Sequence, residues 1–335
     1  YKGKISAMDR LISEYPESQY VDDALFEKGR SYVLLENSSS AAQAFEKLIR
    51  EFPLSSLARK AGIQLGLLYY NDNQPEKALA AYKQVISNYP GSEEAKIALQ
   101  DLKSVYIDLN DINAYASYVN SIGGNIRLEV GEQDSLTYIA AEKLFMRGDN
   151  DGARRSLINY LQTFPEGAFS SNANFYLGSI AFAKKEFDEA IQRFKSVIAS
   201  GDTKFLEESV ARTAEIEYLS KDYPAALESF KRLQIVAENP ENRQAARLGI
   251  MRCALQTGQQ KDALLAADEL LKEPKLSPEL EAEARYVRAK AYIAQKQANK
   301  ALADLKELSK DTRTVHGAEA KYLLAQLYYV SLIHI

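Results

Sequence analysis

The chain has 335 residues, 46% hydrophobic and 26% charged, with 42 basic against 46 acidic residues, one cysteine, no tryptophan and 21 tyrosines. A net charge of −4 offers no long-range field to gather nucleic acid or anionic lipid, and Cys253 alone makes no intramolecular disulfide. No run of about 18 uncharged apolar residues occurs; the longest candidate, Leu323 to Ile335, is too short to span a bilayer and holds Gln326 and His334.

In chain order, Tyr1 to Tyr15 ahead of Pro16 reads as a lone second helix. Within Ala24 to Tyr32 and Gly62 to Tyr70, Gly29 and Tyr32 recur as Gly66 and Tyr69, and Ala41, Phe45 and Pro53 recur as Ala78, Tyr82 and Pro90, each of these five steps being 37 residues. The same frame, carried on with steps of 36 to 38, gives a column Ala41, Ala78, Ala153, Ala190, Ala226, Ala263 and Ala301, from which Lys4 and Tyr115 depart. Four residues later stand Met8, Phe45, Tyr82, Val119, Leu157, Phe194, Phe230, Ala267 and Leu305, and three later again Leu11, Leu48, Val85, Ile122, Tyr160, Val197, Leu233, Leu270 and Leu308. Steps of four and three place these side chains on one helical face. A first-helix stripe such as Leu25, Gly29 and Tyr32 precedes each such face, with a polar turn between, as at Asn71, Arg147, Lys184, Ser220 and Thr257. Each unit is therefore two helices, with Pro16, Pro53, Pro90 and Pro165 stopping the second. The third full unit is eroded, with Lys103 and Tyr115 in small-residue slots, and Gly123 to Ser135 breaks the helical pattern. Alternating Ile126, Leu128 and Val130 predict a short extended segment there: a long loop pinned by three apolar side chains, or a hinge or strand-adding edge. Thr314 to Ile335 supplies only a first helix. The array is thus expected to be cut at both ends, a piece of a longer repeat protein or a terminus that docks on a partner.

These columns resemble the tetratricopeptide repeat, across essentially the whole chain and without its leading Trp. The resemblance implies an all-α, right-handed solenoid of antiparallel helix pairs, one array over residues 1–335 with a candidate seam at 123–135 between 1–122 and 136–335. The period near 37 and the junctions Tyr15-Pro16-Glu17-Ser18 and Tyr89-Pro90-Gly91-Ser92 look most like bacterial cell-envelope members, such as the lipoprotein of the β-barrel assembly machine and the Tol-Pal coordinator. That likeness implies a periplasmic or envelope setting.

Catalytic signatures are missing from the sequence: no phosphate-binding Gly loop, no zinc-protease His pair, no paired cysteines and no nucleophile elbow. The two histidines, His316 and His334, sit near one end and are read as non-functional. Asp149-Asn150-Asp151-Gly152 fits a calcium loop poorly, lacking the twelfth-position acid, and Asn37-Ser38-Ser39 is a chance sequon in a turn. Carboxylates are scattered, with no spacing that marks an acid/base pair. RNA reading would need a basic track, and only Arg154-Arg155 and Lys184-Lys185 adjoin, in different units. The reading is of a non-enzymatic chain with no cofactor, metal or nucleic acid.

The first helix carries a further pair of columns, one from Phe26 to Tyr322 and one from Val33 to Tyr329, about 100° round from the Leu25 stripe. In the family resembled, that face looks into a concave groove that takes peptides or partner helices. The candidate groove residues are Phe26, Arg30, Tyr70, Tyr138, Phe145, Phe175, Phe182, Tyr218, Tyr286, Tyr322 and Tyr329. Burial against the next unit's first helix is the expectation for the Val33 column, and groove exposure for the Phe26 column. Ile63, Leu67 and Ile97 occupy the slots of the family's carboxylate clamp, so chaperone-tail binding is not supported. The reading is a scaffold for a protein or peptide partner, with self-association through the open terminal repeats as a further partner; the rivals are a glycan-binding or polysaccharide-export scaffold, and a structural subunit of an outer-membrane machine.

Overall fold

The computed structural model describes residues 1–123, 126–201 and 204–333, with side chains described as far as residue 329. Among them are eighteen helices and no strand. In order these are α1 Lys2–Glu14, α2 Val21–Leu34, α3 Ser38–Glu51, α4 Ser56–Asn71, α5 Pro75–Asn88, α6 Glu93–Asp108, α7 Ile112–Ile122, α8 Val130–Met146 and α9 Asn150–Thr163. There follow α10 Ser170–Ala183, α11 Phe187–Ala199, α12 Leu206–Leu219, α13 Tyr223–Val236, α14 Pro240–Gln256, α15 Gln260–Leu270, α16 Pro278–Ala294, α17 Ala298–Leu308 and α18 Val315–Ile333. The fold is an all-α helical-repeat solenoid. It divides into two compact units, Tyr1–Ser156 and Leu157–Ile335. Even-numbered helices are first helices and odd-numbered ones second helices.

Within each unit the repeat columns form the core. All seven alanines of the Ala column have no exposed surface, and Phe45, Leu157, Phe194 and Leu305 four residues on are equally buried. The small first-helix residue opposite makes room for the ring: a Cβ at Gly29 would lie 2.5 Å from Phe45, at Gly66 2.4 Å from Tyr82 and at Gly178 2.8 Å from Phe194. Glycine in these helices costs about 1 kcal/mol of helix propensity, offset by burying a large ring worth about 1.5–3 kcal/mol. Lys4, at the Ala slot of α1, is exposed and pairs with Glu27 of α2.

The turns from first to second helix repeat as faithfully as the core. Glu36, Asn73, Asn110, Gly148, Lys185, Lys221, Gly258 and Lys296 all have positive φ, from 54° to 84°. The N–H of the next residue reaches back five positions, as in Asn37 to the Tyr32 carbonyl at 2.9 Å and Asp222 to the Glu217 carbonyl at 2.9 Å. This left-handed cap satisfies carbonyls that the helix end leaves open. The residue after it then opens the next helix: Asn37 Oδ1 accepts the Ser40 N–H at 3.1 Å and Asp222 Oδ1 the Ala225 N–H at 3.2 Å. Asp149 does the same for α9, its Oδ1 accepting the Gly152 N–H at 2.9 Å, and a Cβ at 152 would lie 2.2 Å from that carboxylate. Helix capping therefore accounts for the Asp-Asn-Asp-Gly sequence. At the far end, second helices stop at Glu14, Glu51, Asn88 and Thr163, two residues before each proline.

The segment 123–135 differs from the expected extended strip. Gly123 has φ +78°, residues 124 and 125 lie outside those described, and Val130 to Ser135 already belong to α8. Of the three apolar residues only Leu128 packs on the core; Ile126 and Val130 are exposed. The alternation misleads because a helix that starts on an exposed residue places Val130 on its outer face. The segment falls inside the first unit.

Candidate functional site

The first-helix columns are the natural place for a binding face, and the side chains sort into two kinds. Most of the predicted aromatics fill space between helices. Phe26 packs on Phe45 with ring centroids 6.0 Å apart, and Tyr138 is only 2% exposed, its hydroxyl donating to Glu142 at 2.5 Å. Tyr70 on α4 donates its hydroxyl to Asp108, the last residue of α6. Phe175 stacks on Phe205 at 4.1 Å with planes 11° apart, and Phe182 lies 6.1 Å from Phe187 under the Arg212 guanidinium at 4.9 Å. Tyr286 stacks on His316 at 4.9 Å, and Phe145 is half-buried. Arg30 is exposed and donates to Glu27 at 3.0 Å. Among the predicted aromatics only Tyr322 and Tyr329, at 65% and 66%, stand fully in solvent. The expectation that the Phe26 column is exposed is thus corrected: from Phe26 to Tyr286 its rings are buried or half-buried, because a large apolar ring beside the next helix gains more by filling the crevice than by facing water. His334 lies outside the described residues.

An open cleft lies where that filling lapses. The position that holds Phe175 in α10 holds Ala211 in α12. Between α12 and α14 a cleft of about 390 Å³ opens, floored by Phe230 and Leu233 of α13 and walled by Ala211, Tyr218, Leu248 and Gly249. Gly249 is small for a packing reason, since a Cβ there would lie 2.4 Å from the Phe230 ring. Tyr218 turns an edge to Phe230 at 6.4 Å, and it alone of the predicted set lines this cleft. The sequence did carry a signal, a small residue in an otherwise bulky column.

Charged groups rim the cleft. Arg212 Nε donates to Glu208 Oε1 at 2.8 Å and its Nη1 to Glu215 Oε2 at 2.9 Å. Across the mouth Arg252 makes two parallel bonds of 2.7 Å to the carboxylate of Glu283 on α16 and also donates to the Tyr218 hydroxyl. The Glu283 carboxylate raises the Arg252 pKa above its ordinary value, so the side chain stays charged. A second, similar cleft of about 390 Å³ lies in the first unit between α6 and α8, lined by Ser104, Ile107, Ile139, Glu142, Lys143 and Met146.

Other polar groups, buried or half-buried, act as ties between helices. Asp304, 2% exposed, accepts from Arg288 at 2.7 and 2.8 Å and from Arg285 at 3.2 Å, while Arg288 also reaches Asp268 at 2.8 Å. Glu207 accepts from the Glu238 and Asn239 N–H groups and the Asn242 amide at 2.7 to 3.2 Å, fixing the turn ahead of α14. Cys253 is fully buried, and burial pushes its thiol up to about 11. Among the described residues no group of three His, Cys, Asp or Glu side chains is placed to hold a metal ion, and no helix is long and apolar enough to cross a membrane.

Comparison with known proteins matches residues 22–104 to the outer membrane lipoprotein family YfiO and residues 140–203 to the tetratricopeptide repeat. No curated protein matches. Among solved structures, the chain is similar to YrrB, described as a TPR protein with an unusual peptide-binding site, at 18% identity and TM-score 0.43 over 56% of this chain and 91% of that one. It is also similar to MamA, at 16% identity and TM-score 0.39 over 55% and 94%. A third likeness is to the C-terminal part of a TPR repeat-containing protein from Cytophaga hutchinsonii, at 17% identity and TM-score 0.41 over 88% and 98%.

Proposed function

The chain is a tetratricopeptide-repeat protein with YfiO-like repeats at residues 22–104, and from that premise we propose that it is a non-catalytic scaffold that holds a segment of a partner protein against its first helices. The repeats and the YfiO family suggest protein–protein interaction in the bacterial envelope. The observation that carries the finer reading is the α12–α14 cleft: an open cleft with half-buried apolar walls, Ala211, Tyr218 and Leu248, and charged groups on its rim to orient a bound chain. The buried carboxylate Asp304 and the half-buried Glu207 are occupied as structural ties, which supports a scaffold over an enzyme. The glycan alternative has less support, since stacking on sugars needs free ring faces and most column aromatics spend theirs on neighbouring side chains. The YfiO likeness supports placement at the envelope, in the periplasm.

The test is to present the purified 335-residue chain to immobilised random-peptide and glycan arrays side by side. Saturable binding to a subset of peptides is the expected result. Binding to glycans alone, or to neither array, would overturn the reading.

A further inference from the structure

Given the scaffold reading, we infer that the α12–α14 cleft takes one aromatic side chain of its partner, flanked by lysine or arginine. The neighbouring repeat closes the same place with a side chain of its own. In α10, Phe175 lies face to face with Phe205 at 4.1 Å and 6.1 Å from Phe194, so that crevice is filled from within the chain. One repeat later Ala211 stops at Cβ, and a cleft remains above the buried Phe230 and Leu233, walled by the half-buried Ala211, Tyr218 and Leu248. A guest ring entering there meets Phe230, the counterpart of Phe194, beside Leu248 and Tyr218, so the cleft continues the interface by which successive repeats already pack. About 390 Å³ holds one aromatic side chain and the backbone that carries it.

The rim selects the flanking residues. On the α12 side two carboxylates, Glu208 and Glu215, share the single guanidinium of Arg212, which leaves one negative charge in excess. Arg212 is held in place as well by the Phe182 ring at 4.9 Å, so it does not swing into the cleft. On the α14 side both Glu283 oxygens balance Arg252. The net excess is acidic and lies beside the mouth, where it complements a cation next to the inserted ring and repels a carboxylate there.

The chain has no tryptophan, so a tryptophan probe reports binding without background. The probes are the blocked pentapeptides acetyl-Gly-Lys-Trp-Lys-Gly-amide and acetyl-Gly-Glu-Trp-Glu-Gly-amide, each titrated with the full chain and followed by fluorescence anisotropy. The Lys-flanked probe is expected to bind about ten-fold more tightly. Ala211→Phe, which fills the cleft as Phe175 does one repeat earlier, is expected to weaken it about ten-fold with the helical signal intact. Ala245→Phe, on the exposed side of α14, closes the same mouth should the first variant fail to fold. Glu215→Gln, which removes the one excess negative charge, is expected to erase the difference between the probes. No binding of either probe, equal binding of the two, or cleft variants within about two-fold of the parent would each overturn the inference. Peptide-array binding that survives Ala211→Phe would leave the scaffold reading standing and remove only this site.

Discussion

Replacing glycine by alanine inside a helix ordinarily stabilises it by about 1 kcal/mol, and at Gly66 the opposite sign is expected. A Cβ there would sit 2.4 to 2.7 Å from three ring atoms of Tyr82. That ring has nowhere to go: it is 1% exposed, and its hydroxyl is tied to Asp101. Overpacking of this kind costs about 1–3 kcal/mol, and the contact with a pinned ring belongs in the upper half of that range. Subtracting the propensity gain leaves Gly66→Ala less stable by about 1–2 kcal/mol. Urea unfolding followed by circular dichroism reads the change, and hydrogen exchange localises it to α4 and α5, since each repeat contacts only its neighbours. The Gly66→Ala, Tyr82→Leu double-mutant cycle should show a coupling of about 1 kcal/mol, because the smaller side chain yields. Gly131→Ala serves as the control: it lies in α8 with nothing within 4 Å of its Cβ and should be neutral or stabilising. A Gly66→Ala protein as stable as its parent would refute the claim that the glycine column exists to admit the ring.

Asp304→Asn should cost about 2–3 kcal/mol in urea unfolding, below the full price of stranding a buried charge because Arg285 and Arg288 keep Glu281 and Asp268. Equal stability of the variant would show that the network adds nothing. Lys221, at φ 61°, holds a left-handed turn better suited to glycine, so Lys221→Gly should raise stability by about 1 kcal/mol, seen as a higher thermal midpoint. For Asp108, burial alone would raise the carboxyl, but hydrogen bonds from Lys143 and Tyr70 and the charges of Lys143 and Arg147 outweigh it and hold the pKa below the ordinary value. A lowered folded-state pKa means stability that is present above the unfolded value of about 3.9 and is lost as pH falls through the folded one. Asp108→Asn should therefore flatten the acid limb of the stability–pH curve and leave its shape near neutrality unchanged; an unaltered acid limb would count against the tie.

The helix pairs and their core were legible because their cause is periodic and local. Ala78 followed by Tyr82 and Val85 records a helical face, and all three are buried as that spacing requires. The turns were less legible. Their backbone is constant, yet Glu36, Asn73 and Lys185 fill a place where glycine would be the recognisable sign. Least legible was the candidate site, because hydrophobicity does not say which neighbour a ring will meet. Phe175 and Tyr322 stand in one column, one stacked on Phe205 and the other in solvent, and only the adjoining helix separates the two fates. The small residue that opens the cleft, Ala211, is the least conspicuous member of that column.

The crevice between first helices is a standard fitting, and in α10 to α14 a single side chain decides whether it is stoppered or left as a socket. On the proposed reading, the binding address is then written in one letter and can be moved. Phe175→Ala together with Ala211→Phe would unplug one repeat and plug the next, shifting the socket along the array by one unit while the backbone that frames it stays the same.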